Sequence, residues 1–336
     1  METRSTTHHP LAGPTALAVA LLTLTACGAG TTDSAAGSGS GKNAAGPTIR
    51  IGVGIDASYA PFFLADAKGL WAKHGVNVQL VQFGQGSEGV NNLVAGQVQM
   101  SGNSDTTTIS MLPQDPDLRS LMVYEQSGKY LKVVVGPKVE SPADIRKMAV
   151  APGLSELAAT RFLGSKGIDP KSVKFVTADP PEIPALMEKG DVDAYVLWEP
   201  WPTKGVAQGG RILENTGAYG LSYSQWLITS ATWLKANPDT ATKVAETLQE
   251  AARLTESDPD AAAQATEQAV KVPAAQTLTA IREIDFGTRD FTAADLKGYA
   301  NTAGFFVDTG KVKARPDVTT AVQRGWYTRH LKGSSS

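Results

Sequence analysis

Gly190-Asp191-Val192-Asp193-Ala194-Tyr195-Val196-Leu197-Trp198-Glu199-Pro200-Trp201 reads as the end of a helix, a strand and the loop that leaves it. Glycine is the residue that closes a helix in the left-handed conformation, and the short apolar run 194–197 suits a strand buried on both faces. In open α/β sheets ligands bind outside the carboxyl ends of strands. Two tryptophans, a carboxylate and a proline at such an end therefore mark a pocket wall. The stretch 93–100 (Leu-Val-Ala-Gly-Gln-Val-Gln-Met) has the same layout as 186–193, and Ser104 and Trp198 each lie eight residues past the corresponding glycine. Two similar α/β units, each ending a strand in a polar loop, predict two lobes that face one another across a cleft.

The amino terminus bears on the compartment. Arg4 precedes an apolar run at 16–26 that ends in Leu24-Thr25-Ala26-Cys27-Gly28. The run is shorter than the roughly 20 apolar residues a membrane span needs, and its charged, apolar and small-residue regions are those of a secretory signal. Leu-Thr-Ala-Cys-Gly resembles the lipobox of bacterial lipoproteins, which makes 1–26 a signal peptide and Cys27 the lipid-bearing residue. Cys27 is also the sole cysteine, so the mature chain has no disulfide and no cysteine-based metal site or nucleophile. Segment 27–47 is mostly small and polar and reads as a flexible tether. The expected division of the remainder is lobe 1 at 48–135 plus 227–332, and lobe 2 at 136–226. A formal net charge of −2 without a basic stripe argues against a nucleic-acid partner.

Along the chain, strands are predicted at 49–55, 76–83, 98–102, 118–124, 130–135, 148–151, 173–177, 194–197, 211–213 and 223–229. Helices are predicted between them, with starts at Gly84-Gln85-Gly86-Ser87-Glu88, Ser141-Pro142-Ala143-Asp144 and Pro152-Gly153-Leu154-Ser155-Glu156. From 238 the sequence is alanine-rich and amphipathic, a helical tail at 238–256, 259–271, 273–284, 293–303 and 316–330 that returns to pack on the first lobe.

Taken together, the lipobox, the early Tyr59-Ala60-Pro61-Phe62 loop, the Gly-Gln-Gly-Ser-Glu helix start, Ser-Pro-Ala-Asp-Ile, Pro-Gly-Leu-Ser and Gly-Asp-Val-Asp-Ala-Tyr-Val-Leu-Trp-Glu-Pro resemble the substrate-binding proteins of ABC importers for nitrate, taurine and aliphatic sulfonates. The same superfamily includes proteins that handle thiamine pyrimidine precursors. The resemblance implies a type II periplasmic-binding-protein fold: two α/β lobes with two crossover strands, at 131–136 and 223–229, and a helical C-terminal tail. It also implies a small-molecule ligand, ABC permease subunits as partners, a lipid anchor to the cell membrane at Cys27, and a monomer outside the cytoplasm. No cofactor or metal is implied. Carried over residue by residue, the pocket falls on Asp56, Tyr59, Gln85, Gly86, Ser87, Ser104, Asp105, Thr106, Tyr130, Leu154, Ser155, Glu156, Asp179, Trp198, Glu199, Pro200 and Tyr223.

The candidate loops carry Asp56, Glu88, Asp105, Glu156, Asp179 and Glu199 but few cations, with Lys204, Lys129 and Lys132 nearby. Glu88 and Glu156 are first-turn residues that favour their helix dipoles. Asp105 and Glu199 occupy equivalent places in the two units and are expected to face the cleft. There they would hold an amine against Trp198 or Tyr59, while backbone N–H groups at Ser87 and Ser155 hold an anionic end. The ligand so described is a zwitterion or an amine, with taurine-like compounds fitting and nitrate fitting poorly. Three other readings remain: an acid/base enzyme using Asp105 and Glu199, a surface sensor lipoprotein, and a protein that binds a thiamine pyrimidine precursor. No His-Glu-x-x-His or Gly-x-Ser-x-Gly motif points to zinc or a serine nucleophile.

Overall fold

The computed structural model describes residues 46–331. The predicted signal peptide, Cys27 and nearly all of the tether lie outside the described residues. Ten strands form two five-stranded sheets. In the first, β1 (Thr48–Val53) pairs in parallel with β2 (Asn77–Gln82) and β3 (Met100–Ser104). β4 (Leu118–Ser127) joins at the other side through an antiparallel strand that arrives much later, β10 (Tyr223–Ser230).

The second sheet repeats this plan. Its β6 (Lys147–Val150) pairs in parallel with β7 (Lys174–Thr177) and β8 (Ala194–Leu197). The antiparallel insert is β5 (Lys132–Val135), with β9 (Arg211–Asn215) beyond it. The two orders, β2-β1-β3-β10-β4 and β7-β6-β8-β5-β9, are equivalent position by position. The repeated stretches 93–100 and 186–193 lead into β3 and β8, the third strand of each sheet. Both strands are buried along their whole length, as the compact apolar run around Val196 requires.

Each sheet thus takes its antiparallel strand from the segment that links it to the other sheet. β5, within the segment expected to form lobe 1, pairs only with second-sheet strands, and the start of β10, within the segment expected to form lobe 2, pairs in the first sheet. The chain therefore changes sheets at 128–131 and 216–222, a few residues before the predicted boundaries. These two passages touch: the Gly217 N–H donates to the Gly128 carbonyl at 2.5 Å, and the Thr216 N–H donates to the Leu131 carbonyl at 3.1 Å. A methyl group on Gly217 would sit 2.8 Å from the Gly128 oxygen, so the approach depends on glycine.

Two predicted helices differ. The run 63–73 is broken at Gly69 (φ 65°) into Ala60–Ala67 and Leu70–Lys73. Ser141-Pro142-Ala143-Asp144 has the predicted cap, with the Ser141 N–H donating to Asp144 Oδ2 at 2.7 Å, yet it makes one 3₁₀ turn, because Ile145 is already extended. The helical tail crosses back over the first sheet, where β4 bridges Arg289, Asp285 and Val322. Among the described residues, no helix is long and apolar enough to cross a membrane.

Candidate ligand-binding site

The loops that leave the parallel strands of both sheets converge on one cavity of about 620 Å³, its mouth included. The first sheet contributes Gly54, Asp56, Ser58 and Tyr59 after β1, Phe83 to Ser87 after β2, and Asn103, Ser104 and Thr107 at the end of β3. The second contributes Ala151, Pro152 and Leu154 after β6, Pro180 after β7, and Trp198 after β8. Tyr130 and Leu131 come from the first passage between sheets, and Tyr223 and Gln225 from the start of β10. Its position outside strand carboxyl ends is where an α/β architecture places ligands.

Asp56 is the charged residue of the wall. It caps the 3₁₀ turn Ala57–Tyr59, its Oδ1 accepting from the Ser58 N–H at 2.9 Å and lying 3.1 Å from the Tyr130 hydroxyl. Burial pushes its pKa up to about 6, against the lowering pull of those bonds and of the Trp198 side chain. The Tyr59 ring packs against Gly54, where an added methyl group would overlap it. The Tyr223 hydroxyl meets Ser58 Oγ at 3.2 Å.

Beneath this wall runs a cross-strand row, Ser104 opposite Gln225 and Gln225 opposite Glu125. Glu125 is fully buried, and neither carboxyl oxygen finds a hydrogen-bond partner among the described residues. Burial raises its pKa well above the carboxylate range and the Asp56 charge adds to this; the Tyr223 and Ser58 hydroxyls oppose the shift.

Of the residues singled out by the sequence, the structure brings Asp56, Tyr59, Gln85, Gly86, Ser87, Ser104, Tyr130, Leu154, Trp198 and Tyr223 to the cavity wall. Asp179 is at its rim, accepting a short hydrogen bond from Gln85 Nε2 across the mouth. The others are turned elsewhere. Asp105 Oδ2 accepts from Ser224 N and Oγ at 3.1 and 3.0 Å, and its Oδ1 accepts from the Thr106 N–H and hydroxyl, which engages Thr106 as well. Burial pushes the Asp105 pKa up to about 6.

Ser155 is fully buried, its Oγ accepting from the Ala151 N–H and donating to the Val196 carbonyl. Glu156 pairs with Lys311 at 3.2 Å. Glu199 is bound to Lys132 Nζ at 2.9 Å, and Lys132 also reaches Glu283 at 2.7 Å. Pro200 follows a cis peptide bond, and its carbonyl lies 3.4 Å from Gln276 Nε2. The expected pairing of Asp105 and Glu199 across the cleft is thus corrected: both carboxylates are occupied by internal partners. Glu88, as expected of a first-turn residue, accepts from the Gly84 and Gln85 N–H groups.

Sequence reasoning missed Gln225, Asn103 and Thr107 on the wall and Glu125 behind it. A carboxylate directly after the apolar run 118–124 was the available signal for Glu125.

Two sheets of one topology with a cavity at their strand ends define a periplasmic-binding-protein fold. Residues 42–270 match the NMT1-like family, and the chain belongs to it. It is similar to the taurine-binding periplasmic protein of Escherichia coli (strain K12), 24% identical over 284 residues that make up 79% of this chain and 88% of that one. Among solved structures, it resembles the alkanesulfonate-binding protein SsuA from Xanthomonas axonopodis pv. citri bound to MOPS. The TM-score is 0.73 at 21% identity, covering 82% of this chain and 98% of that one. The periplasmic aliphatic sulphonate binding protein SsuA from Escherichia coli gives a TM-score of 0.73 at 20% identity, covering 84% and 99%. These similar proteins are binding proteins.

Proposed function

We propose that the chain is the extracytoplasmic solute-binding component of an ABC importer, which captures a small polar organic solute between two lobes and delivers it to a membrane permease. The observation that carries this reading is the cavity itself, walled by strand-end loops of both sheets and bridged at its mouth by Gln85 and Asp179. A site shared by two bodies binds best when they close on the solute, so occupancy is converted into a shape that a permease can recognise.

In this reading the lobes are the two sheets with their helices, near the divisions 48–135 plus 227–332 and 136–226, with β5 and β10 exchanged between them. Segment 1–26 is removed, Cys27 carries the lipid, and the tether holds a monomer near its permease. More than one acyl chain gives firm anchoring where a single chain is marginal. The wall residues named above hold the solute. In this reading the protein does no chemistry on the solute, which the internal engagement of Asp105 and Glu199 supports.

Native mass spectrometry of the intact chain, with thermal melts against amines, sulfonates, nitrate and pyrimidines, tests this. A ligand of the folded state should raise the melting temperature as it saturates the site, by an amount equivalent to about 2.7 kcal/mol at a hundred times Kd, and should be recovered unaltered. Recovery of an altered compound would instead establish an enzyme.

A further inference from the structure

The cavity wall is rich in acceptors and has no cation. Among the described residues that line it, none is Lys, Arg or His, and Asp56 is the carboxylate. On the same wall, Gln225 is 6% exposed and its Oε1 has no hydrogen-bond partner among the described residues. Buried acceptors are normally matched by donors, and this one, enclosed behind the wall rather than open to the cavity, is unmatched until the lobes move around a ligand that brings a donor. The Tyr130 and Tyr223 rings, 6.4 Å apart and inclined at 30°, add π faces to those of Tyr59 and Trp198.

Resting on the solute-binding reading above, we propose that the solute carries a positively charged nitrogen, recognised by the Asp56 carboxylate and Gln225 Oε1. An ammonium or a similar cation offers several N–H donors to this pair of acceptors, and aromatic faces around it favour the charge. A sulfonate or nitrate placed there would meet a carboxylate with no counter-charge. A zwitterion's anionic end has the start of the helix Gly86–Val94, which also lines the cavity and whose first N–H groups favour anions. Asp56 thereby becomes the specificity determinant, the role that Asp105 and Glu199 do not fill.

Isothermal titration of the intact chain with taurine, ethanolamine, ethanesulfonate and nitrate tests the assignment. Taurine and ethanolamine should bind, and ethanesulfonate, which is taurine without its nitrogen, should bind at least about tenfold more weakly than taurine. Asp56→Asn should weaken both nitrogen probes by about tenfold or more while melting no lower than the wild type, which separates lost recognition from lost folding. Gln225→Leu should act in the same direction. Ethanesulfonate binding as tightly as taurine, Asp56→Asn leaving taurine affinity unchanged, or neither nitrogen probe binding would overturn the inference. In the first two cases solute binding stands and only the cationic assignment falls. If no compound of any class binds and none copurifies, the solute-binding reading falls as well.

Discussion

With its carboxyl enclosed beside Ser58 and Tyr130, Asp56 titrates at about 6 rather than 3.8, so the folded chain prefers it neutral. Its stabilising contribution is complete below about pH 3.8, where it is protonated folded or unfolded, and is lost as the pH rises through about 6. At pH 7 the ionised group costs up to about 3 kcal/mol. Asp56→Asn keeps an oxygen for the Ser58 N–H but cannot ionise. Denaturant melts of the ligand-free protein should show it more stable than wild type by up to about that amount at pH 7, with the gap closing near pH 3.5. Ligand affinity runs the other way: a cation needs the ionised carboxylate, so its Kd should rise about tenfold per pH unit below about 6. Titrations at pH 5 and pH 7.5 check this, and a pH-independent Kd would show that Asp56 does not face the charge.

At the scale of elements, Lys132 on β5 ties the loop after β8 to the segment after the helix Ala274–Ile281 through Glu199 and Glu283. Burial pulls the Lys132 pKa down, but its two carboxylate partners prevail and hold it above the ordinary value. Removing the cation would leave Glu199, with a side chain 7% exposed, without its counter-charge. Lys132→Met should therefore cost about 3–5 kcal/mol in denaturant melts. Glu199→Gln should cost about 1–3 kcal/mol while leaving taurine affinity within about threefold. A selective loss of amine binding in Glu199→Gln would return that residue to the site. The ion pair of Glu156 with the half-exposed Lys311 should contribute no more than about 1 kcal/mol.

The strands, the doubled plan and the Asp56, Tyr59 and Trp198 loops were legible in the sequence because burial periodicity and helix-Gly-strand phrasing are local. The direction of a loop carboxylate was not. Asp105 is claimed by Ser224, 119 residues away, and Glu199 by Lys132, 67 residues away, partners that exist only once the sheets have formed. Glu125 escaped for the same reason: its row with Gln225 and Ser104 is set by β10, which enters the first sheet from the far side of the second.

For the whole molecule, the passages at 128–131 and 216–222 are the covalent links between the two sheets, and they meet at Gly128 and Gly217. Gly217→Ala would press a methyl group against the Gly128 carbonyl at 2.8 Å, with no flexible side chain to yield. Thermal melts should show a loss equivalent to about 1–3 kcal/mol, together with weaker ligand binding. Gly298→Ala, inside the helix Ala293–Asp308 where a methyl group meets nothing within 4 Å, should instead gain about 0.5–1 kcal/mol. Two bodies hung on separate straps can slide, tilt and twist; straps pinned together at one point leave them a single arc. Each solute, whatever its shape, would then stop the lobes somewhere along that same arc. Under the importer function proposed above, a permease reading the angle would distinguish loaded from empty without touching the cargo.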